Sequence, residues 1–345
     1  MRKRTILALF ICAMLIASTI CLAQPQGTRG GATRGATRGG TRGGNMGGMM
    51  GGGMMGGGMM GGMNFGRGGQ PTAPAGPPAP VPAEVAIPRP SEEEVAKINK
   101  ALEEFVSSNT SANKDLLKKY AALLKVQVPR DNPCIRPVQS RVRSDERHNA
   151  FVETAENEQF DILFLGDSIT DWWQQGAAQG GGADVQKKYF GDNKVANFAI
   201  AGDTTQGVLW GLKEGEGQGH RPKAIMLMIG TNNTGSNTGE EIAEGVGAII
   251  YELRQDFPDA KILLLAIFPR GSSNSDSNRV KNEVANKIIA KLHDGKNVFF
   301  MNINDKFMNA DGSLKGFRGD NLHPNEEGYV IWAEAVADTL KGWAK

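Results

Sequence analysis

The chain has 345 residues, but its 46 glycines and 14 methionines are unevenly spread, so the folded part is much shorter than the whole and one main folded domain is expected. The formal charge of +2 hides two unlike parts: residues 1–90 carry nine Lys and Arg against a single acid, Glu84, which leaves the body at about −6. Of three cysteines, Cys12 and Cys21 lie in the leader, so Cys134 stands alone and an intramolecular disulfide is excluded, and no Cys/His cluster has zinc spacing.

In chain order, Arg2, Lys3 and Arg4 precede an apolar stretch over 6–16 that continues to Leu22 and Ala23, the layout of a secretory signal over 1–23. Export to the periplasm, the cell surface or the medium is the expectation. Ile20 before Cys21 speaks against a lipoprotein site and favours cleavage after Ala23, with an uncleaved anchor as the alternative. Residues 24–69 are Gly-rich, first with Thr-Arg-Gly units and then with Met-Met-Gly repeats, a composition that cannot build a packed core. Residues 71–90 switch to Pro and Ala, read as a stiffer extended spacer. Together 24–90 read as a disordered tether. Its Met pairs could offer thioethers to Cu(I), and its Arg-Gly units could contact an acidic surface polymer or membrane, nucleic acid being disfavoured by the export signal.

Ser91 and Glu94 have capping-box spacing, and Val95, Ile98, Leu102 and Phe105 follow at helical intervals. A second pattern, Leu116, Leu117, Tyr120, Leu123 and Leu124, completes an expected helical hairpin over 91–128. Pro129, Pro133 and Pro137 mark a loop, and a helix over 144–157 leads into the first strand of the main domain, taken as 140–345. There, strand-like runs at 160–165, 195–200, 224–229, 262–267 and 298–303 alternate with helical patterns at 206–214, 239–257, 278–293 and 326–341. This predicts an α/β fold, a three-layer α/β/α sandwich around a five-stranded parallel sheet.

The first apolar run ends in Gly166-Asp167-Ser168-Ile169, which delivers Ser168 at the carboxyl end of a buried strand. A serine hydroxyl needs a base to take its proton and an acid to orient that base, and His323 with Asp320 three residues before it can supply both. Acyl transfer also needs donors for an oxyanion. The N–H of Ser168, the N–H of Gly202 after the second strand and the side chain of Asn232 after the third are the candidates. Of Trp172 and Trp173, one is expected in the acyl pocket and one in the core; Phe268 is a second pocket candidate. Asp167 and Asp203 are expected to hold loop backbone, and His148, His220 and His293 to be structural or solvated. No metal or cofactor is expected.

With these blocks in order, the chain resembles an SGNH hydrolase of the GDSL esterase/lipase family. The runs 197–205, 208–210, 230–233, 268–271 and 322–324 are similar to the catalytic subunits of brain-type platelet-activating-factor acetylhydrolase, over roughly 140–342. The resemblance implies a serine esterase acting on short-chain esters, with acetyl as the expected acyl group, and export suggests a carbohydrate alcohol side. A lipid-directed esterase, such as a phospholipid acetylhydrolase or lysophospholipase, is the alternative within that class. An envelope or surface-binding protein with a secondary hydrolase domain is the alternative outside it. The dimeric habit of the resembling subunits suggests a homodimer.

Overall fold

A computed structural model describes residues 74–345; the signal and the Gly/Met arm lie outside the described residues. Five short strands, β1 (Ile162–Gly166), β2 (Val195–Asn197), β3 (Ala224–Met228), β4 (Lys261–Leu265) and β5 (Val298–Met301), form one sheet in the order β2-β1-β3-β4-β5. Every pairing is parallel. The sheet is buried on both faces, which is why its strands read as continuous apolar runs rather than alternating ones.

The period-two alternation divides the core in two. Leu163, Leu165, Ile225, Leu227 and Leu264 point to one side, where they meet α3 (Asp145–Asn157), α6 (Thr205–Gly211), α7 (Gly239–Asp256) and α8 (Ser277–Ile289). Ile162, Phe164, Met226 and Leu263 point to the other, packing on α5 (Ala183–Phe190) and α9 (Glu326–Ala344). These are the three expected layers. The chain steps from β1 outward to β2 and then back across β1 to β3, so β1 and β3 flank the switch point where open α/β sheets hold ligands.

Two expected boundaries move for local reasons. The second strand stops at Asn197, three residues short, because its amide accepts from the Ala199 N–H and donates to the Thr170 carbonyl, turning the chain toward the loop after β1. The helix after the second strand ends at Gly211 and runs into a wider π turn, Leu212–Glu216, where Gly215 takes φ +119°.

The spacer expectation needs correction over 74–90. This stretch docks on the catalytic domain: the Gly76 and Ala79 N–H groups donate to the Pro137 and Ile135 carbonyls, and Val85 is buried in the core. A Cβ on Gly247 would meet Val85 Cγ2 at 2.4 Å, so α7 presents a bare glycine where the strap crosses it. Arg89 then grips the fully buried Glu244 of α7 with two bonds of 2.6 and 2.5 Å. Pro and Ala show no periodicity, so composition could not reveal contacts made by backbone groups and single side chains.

The hairpin follows, with α1 (Glu92–Ser108) started by the Ser91/Glu94 capping box. Its second limb is shorter than expected: α2 (Lys114–Lys119) gives way at Tyr120 to a 3₁₀ turn, Ala121–Leu124. Asn99 ties the two limbs together, bonding both the N–H and the carbonyl of Val126.

Candidate active site

Four loops at the carboxyl edge of the sheet build the site. The first begins at Gly166, where a Cβ would lie 2.4 Å from Thr170 Oγ1 and 2.5 Å from the Met228 carbonyl, so only glycine lets the strand turn this closely. Asp167 caps the single-turn helix α4 (Ser168–Asp171), its Oδ1 accepting from the Ile169 N–H at 3.1 Å. Asp167 therefore holds backbone, as expected. From α9, Tyr329 donates its hydroxyl to the Ile169 carbonyl at 2.9 Å, fixing the same turn from within the layer that also buries Ile169.

The last loop supplies the imidazole. Asp320 Oδ1 accepts from the N–H groups of Leu322 and His323, and Asn321 between them takes φ 52°, the one non-glycine with positive φ among the described residues. The Asn321 carbonyl accepts from the Gly271 N–H at 2.8 Å, which ties this turn to the loop after β4. The outcome is a continuous hydrogen-bond chain: Ser168 Oγ to His323 Nε2 at 2.8 Å and His323 Nδ1 to Asp320 Oδ2 at 2.7 Å.

The electrostatics suit proton transfer. Burial pushes the His323 imidazole below the ordinary histidine range; Asp320 opposes this, while the cations of Arg318 and Arg270 add to it. Burial would raise the Asp320 carboxyl, but the bonds from the N–H and ring of His323 outweigh it and bring the net shift below the usual carboxylate range. At neutral pH the pair is a neutral imidazole beside a carboxylate, which can accept the serine proton and be stabilised once charged.

The loops after β2 and β3 bring the two outer oxyanion candidates together. Gly202 takes φ +84°, and the Asn232 side chain donates to the carbonyl of the next residue, Asp203, at 2.8 Å. A carboxamide nitrogen carries two hydrogens, so this bond orients Asn232 and leaves the second for a substrate oxygen.

Beneath the β2 loop lies a network that sequence reading missed. Asp203 Oδ2 accepts from Arg143 Nε and Nη2 at 3.0 and 2.7 Å, while its Oδ1 accepts from the Thr204 N–H and Ser140 Oγ. Arg143 also donates twice to Glu216 of the π turn, at 2.7 and 2.5 Å, and His148 Nδ1 lies 2.8 Å from the same carboxylate. Arg143, Asp203 and Glu216 are all buried. Thus Asp203 holds its loop through a buried guanidinium as well as through local N–H bonds. Arg143 sits before the first strand among unremarkable charged residues, and nothing in its local pattern marks it.

The pocket candidates resolve differently. Trp173 is fully buried, and Trp172 stacks on the His323 ring with centroids 4.1 Å apart at 28°. Phe268 corrects the expectation of a pocket residue: it is 1% exposed and packs on Phe307 and Trp332, with centroids 4.6 and 4.9 Å away. The chain beyond β4 keeps its alternation, sending Ile267 to one core and Phe268 to the other. His148, His220 and His293 lie away from this chain of bonds, His220 on the Phe160 carbonyl and His293 accepting from the Phe300 N–H. Cys134 is no rival nucleophile, since burial pushes its thiol up to about 12.

A parallel sheet carrying a serine, a neutral imidazole and oriented amide donors at its switch point has the architecture of an α/β ester hydrolase. The model of the GDSL-like Lipase/Acylhydrolase family matches residues 164–331, and the chain belongs to that family, so it is an ester hydrolase. It is 35% identical over 195 residues to the platelet-activating factor acetylhydrolase IB subunit alpha2 of Rattus norvegicus, covering 55% of this chain and 81% of the relative. The alpha1 subunit of Bos taurus is 30% identical over 217 residues, covering 61% and 90%. A GDSL-like lipase from Bacteroides thetaiotaomicron aligns with a TM-score of 0.44 at 16% identity, over 57% of this chain and 97% of that one.

Proposed function

We propose that the protein is an exported serine esterase that removes acetyl groups, with carbohydrate as the alcohol side, by the mechanism its hydrogen-bond chain supports. The observation that carries this is the unbroken line from Ser168 Oγ through the His323 ring to Asp320. His323 Nε2 takes the hydroxyl proton as Oγ forms a bond to the ester carbonyl carbon, and the carbonyl π electrons move to oxygen. That oxyanion is held by the N–H groups of Ser168 and Gly202 and by the Asn232 amide. On collapse the C–O bond to the alcohol breaks, and the imidazolium returns its proton to the leaving oxygen. Water, deprotonated by the same ring, then hydrolyses the acyl-serine and frees the acid.

Support for a short acyl group is twofold: Ser168 and His323 are only 3% and 4% exposed, and the relatives are named acetylhydrolases. Those names, platelet-activating factor acetylhydrolase, also keep the lipid-directed alternative in play. Export and a carbohydrate substrate draw on the signal-like leader, and contact with an acidic surface polymer on the basic arm. A panel of acetylated sugars, acetylated phospholipid and longer acyl esters, run on the wild type and on Ser168→Ala, decides among them. Acetyl sugars are expected to be turned over fastest by the wild type and by about 10⁴-fold or more less by the variant. A Ser168→Ala protein that retains activity would sink the mechanism; preference for phospholipid would replace the substrate.

A further inference from the structure

Arg318 has no task in the scheme above, yet it is bonded around His323 on several sides. Its backbone N–H donates to the His323 carbonyl at 2.8 Å, its Nε donates to the Pro324 carbonyl at 3.2 Å, and its Nη2 donates to the Gly180 carbonyl. Gly180 takes φ +72°, and a Cβ there would come within 2.9 Å of the guanidinium carbon, so the loop after α4 is bare where Arg318 lies. The guanidinium carbon also stands 4.2 Å from the centre of the Trp172 ring, the same indole on which His323 stacks at 4.1 Å. Guanidinium and imidazole therefore both lie within stacking distance of one indole, and Trp172 links them in a cation–indole–imidazole stack.

We propose that Arg318, acting through Trp172, is a positioning residue for His323, holding the imidazole in line between Ser168 and Asp320 and setting a fixed positive charge behind it. The charged groups acting on that ring are Asp320 on Nδ1, Arg318 beside the indole and Arg270 from the loop after β4. Both arginines disfavour the imidazolium, and Asp320 favours it. The indole in turn presents a π face that welcomes the imidazolium when it forms. Burial first, and the two arginines with it, hold the resting ring neutral, while the indole face leaves it stabilised during reaction.

This rests on His323 being the base, so the test reads the imidazole as well as turnover. In full-length Ser168→Ala protein the His323 ring is titrated by NMR, its signal assigned by loss in His323→Asn, with and without Arg318→Met or Arg318→Lys. Arg318→Met is expected to move the His323 midpoint to higher pH. In the Ser168 enzyme the same change should carry the acid limb of kcat/KM with it and lower kcat by roughly tenfold to a hundredfold. Arg318→Lys keeps the cation but loses the fork, so it should leave the midpoint near that of the parent while kcat still falls. An unmoved midpoint and an unchanged kcat in Arg318→Met overturn the proposal. A moved midpoint in a protein whose parent hydrolyses no ester upholds the stack and removes the esterase mechanism instead. If Arg318→Met does not fold, Trp172→Leu is read: a fall in kcat with KM little changed is expected, and unchanged kcat overturns the proposal.

Discussion

The molecule contains two histidine–carboxylate pairs of nearly the same local geometry. His323 Nδ1 lies 2.7 Å from Asp320, and His148 Nδ1 lies 2.8 Å from Glu216. Each ring also rests against an indole, Trp172 for His323 and Trp210 for His148. What differs is what else the partners hold. Glu216 is buried and already shared with Arg143, whereas the Asp320 side chain is 46% exposed and bonded otherwise to its own turn. The His323 ring reaches a serine hydroxyl; among the described residues His148 bonds none. A histidine beside an acid is thus only half a catalytic device. Its second nitrogen must face a nucleophile, and its acid must not be spoken for by a guanidinium.

The sharpest way to break this comparison is to remove each ring in turn. His323→Ala is expected to lose about 10⁴-fold or more of esterase activity while its melting temperature stays close to wild type. His148→Ala is expected to do the reverse, keeping activity per folded molecule but losing about 1–3 kcal/mol of stability as Glu216 gives up a partner. Ester turnover and thermal melting of both variants check this, and equal behaviour would erase the distinction. Next in size is Arg143→Met. It strands the buried carboxylates of Asp203 and Glu216, so a cost of about 3–5 kcal/mol is expected in denaturant unfolding. A loss below about 1 kcal/mol would show that the network adds little beyond packing.

Asp167 sharpens the contrast with a smaller effect. It is buried beside Ser168 and, among the described residues, no guanidinium bonds to it; burial pushes its carboxyl up to about 7, the Asp203 charge adds to this, and the Ile169 N–H and Arg270 oppose it. A folded value above the unfolded 3.8 means that its favourable contribution is complete below 3.8 and is lost as pH rises through about 7. Asp167→Asn keeps an oxygen for the Ile169 N–H and removes that loss. The variant should therefore gain on wild type between pH 4 and pH 8, as read by melting curves across that range. Parallel pH profiles would contradict it.

The sheet and the bonded chain were legible because each leaves a local mark: buried parallel strands are continuous apolar runs, and Ser168, Gly202, Asn232 and His323 each follow one or border a helix start. What stayed hidden is long-range polar pairing. Arg143 meets Asp203 and Glu216 across 60 and 73 residues, and Arg89 meets Glu244 across 155, with no periodicity to announce either. Phe268 was misread for a related reason, since an aromatic next to a site motif looks the same whether it faces the cleft or, as here, the core. The Trp172 stack depended on Arg318, which lies in an irregular loop where spacing says nothing about direction.

The proposed nucleophile is Ser168, activated by His323. Labelling with an alkyl phosphonate that carries a good leaving group, followed by intact-mass and peptide mass spectrometry, tests it directly. One adduct per chain on Ser168 is expected, absent in Ser168→Ala and much slowed in His323→Ala. An adduct on another residue, or ester turnover that survives with Ser168 fully labelled, would contradict it.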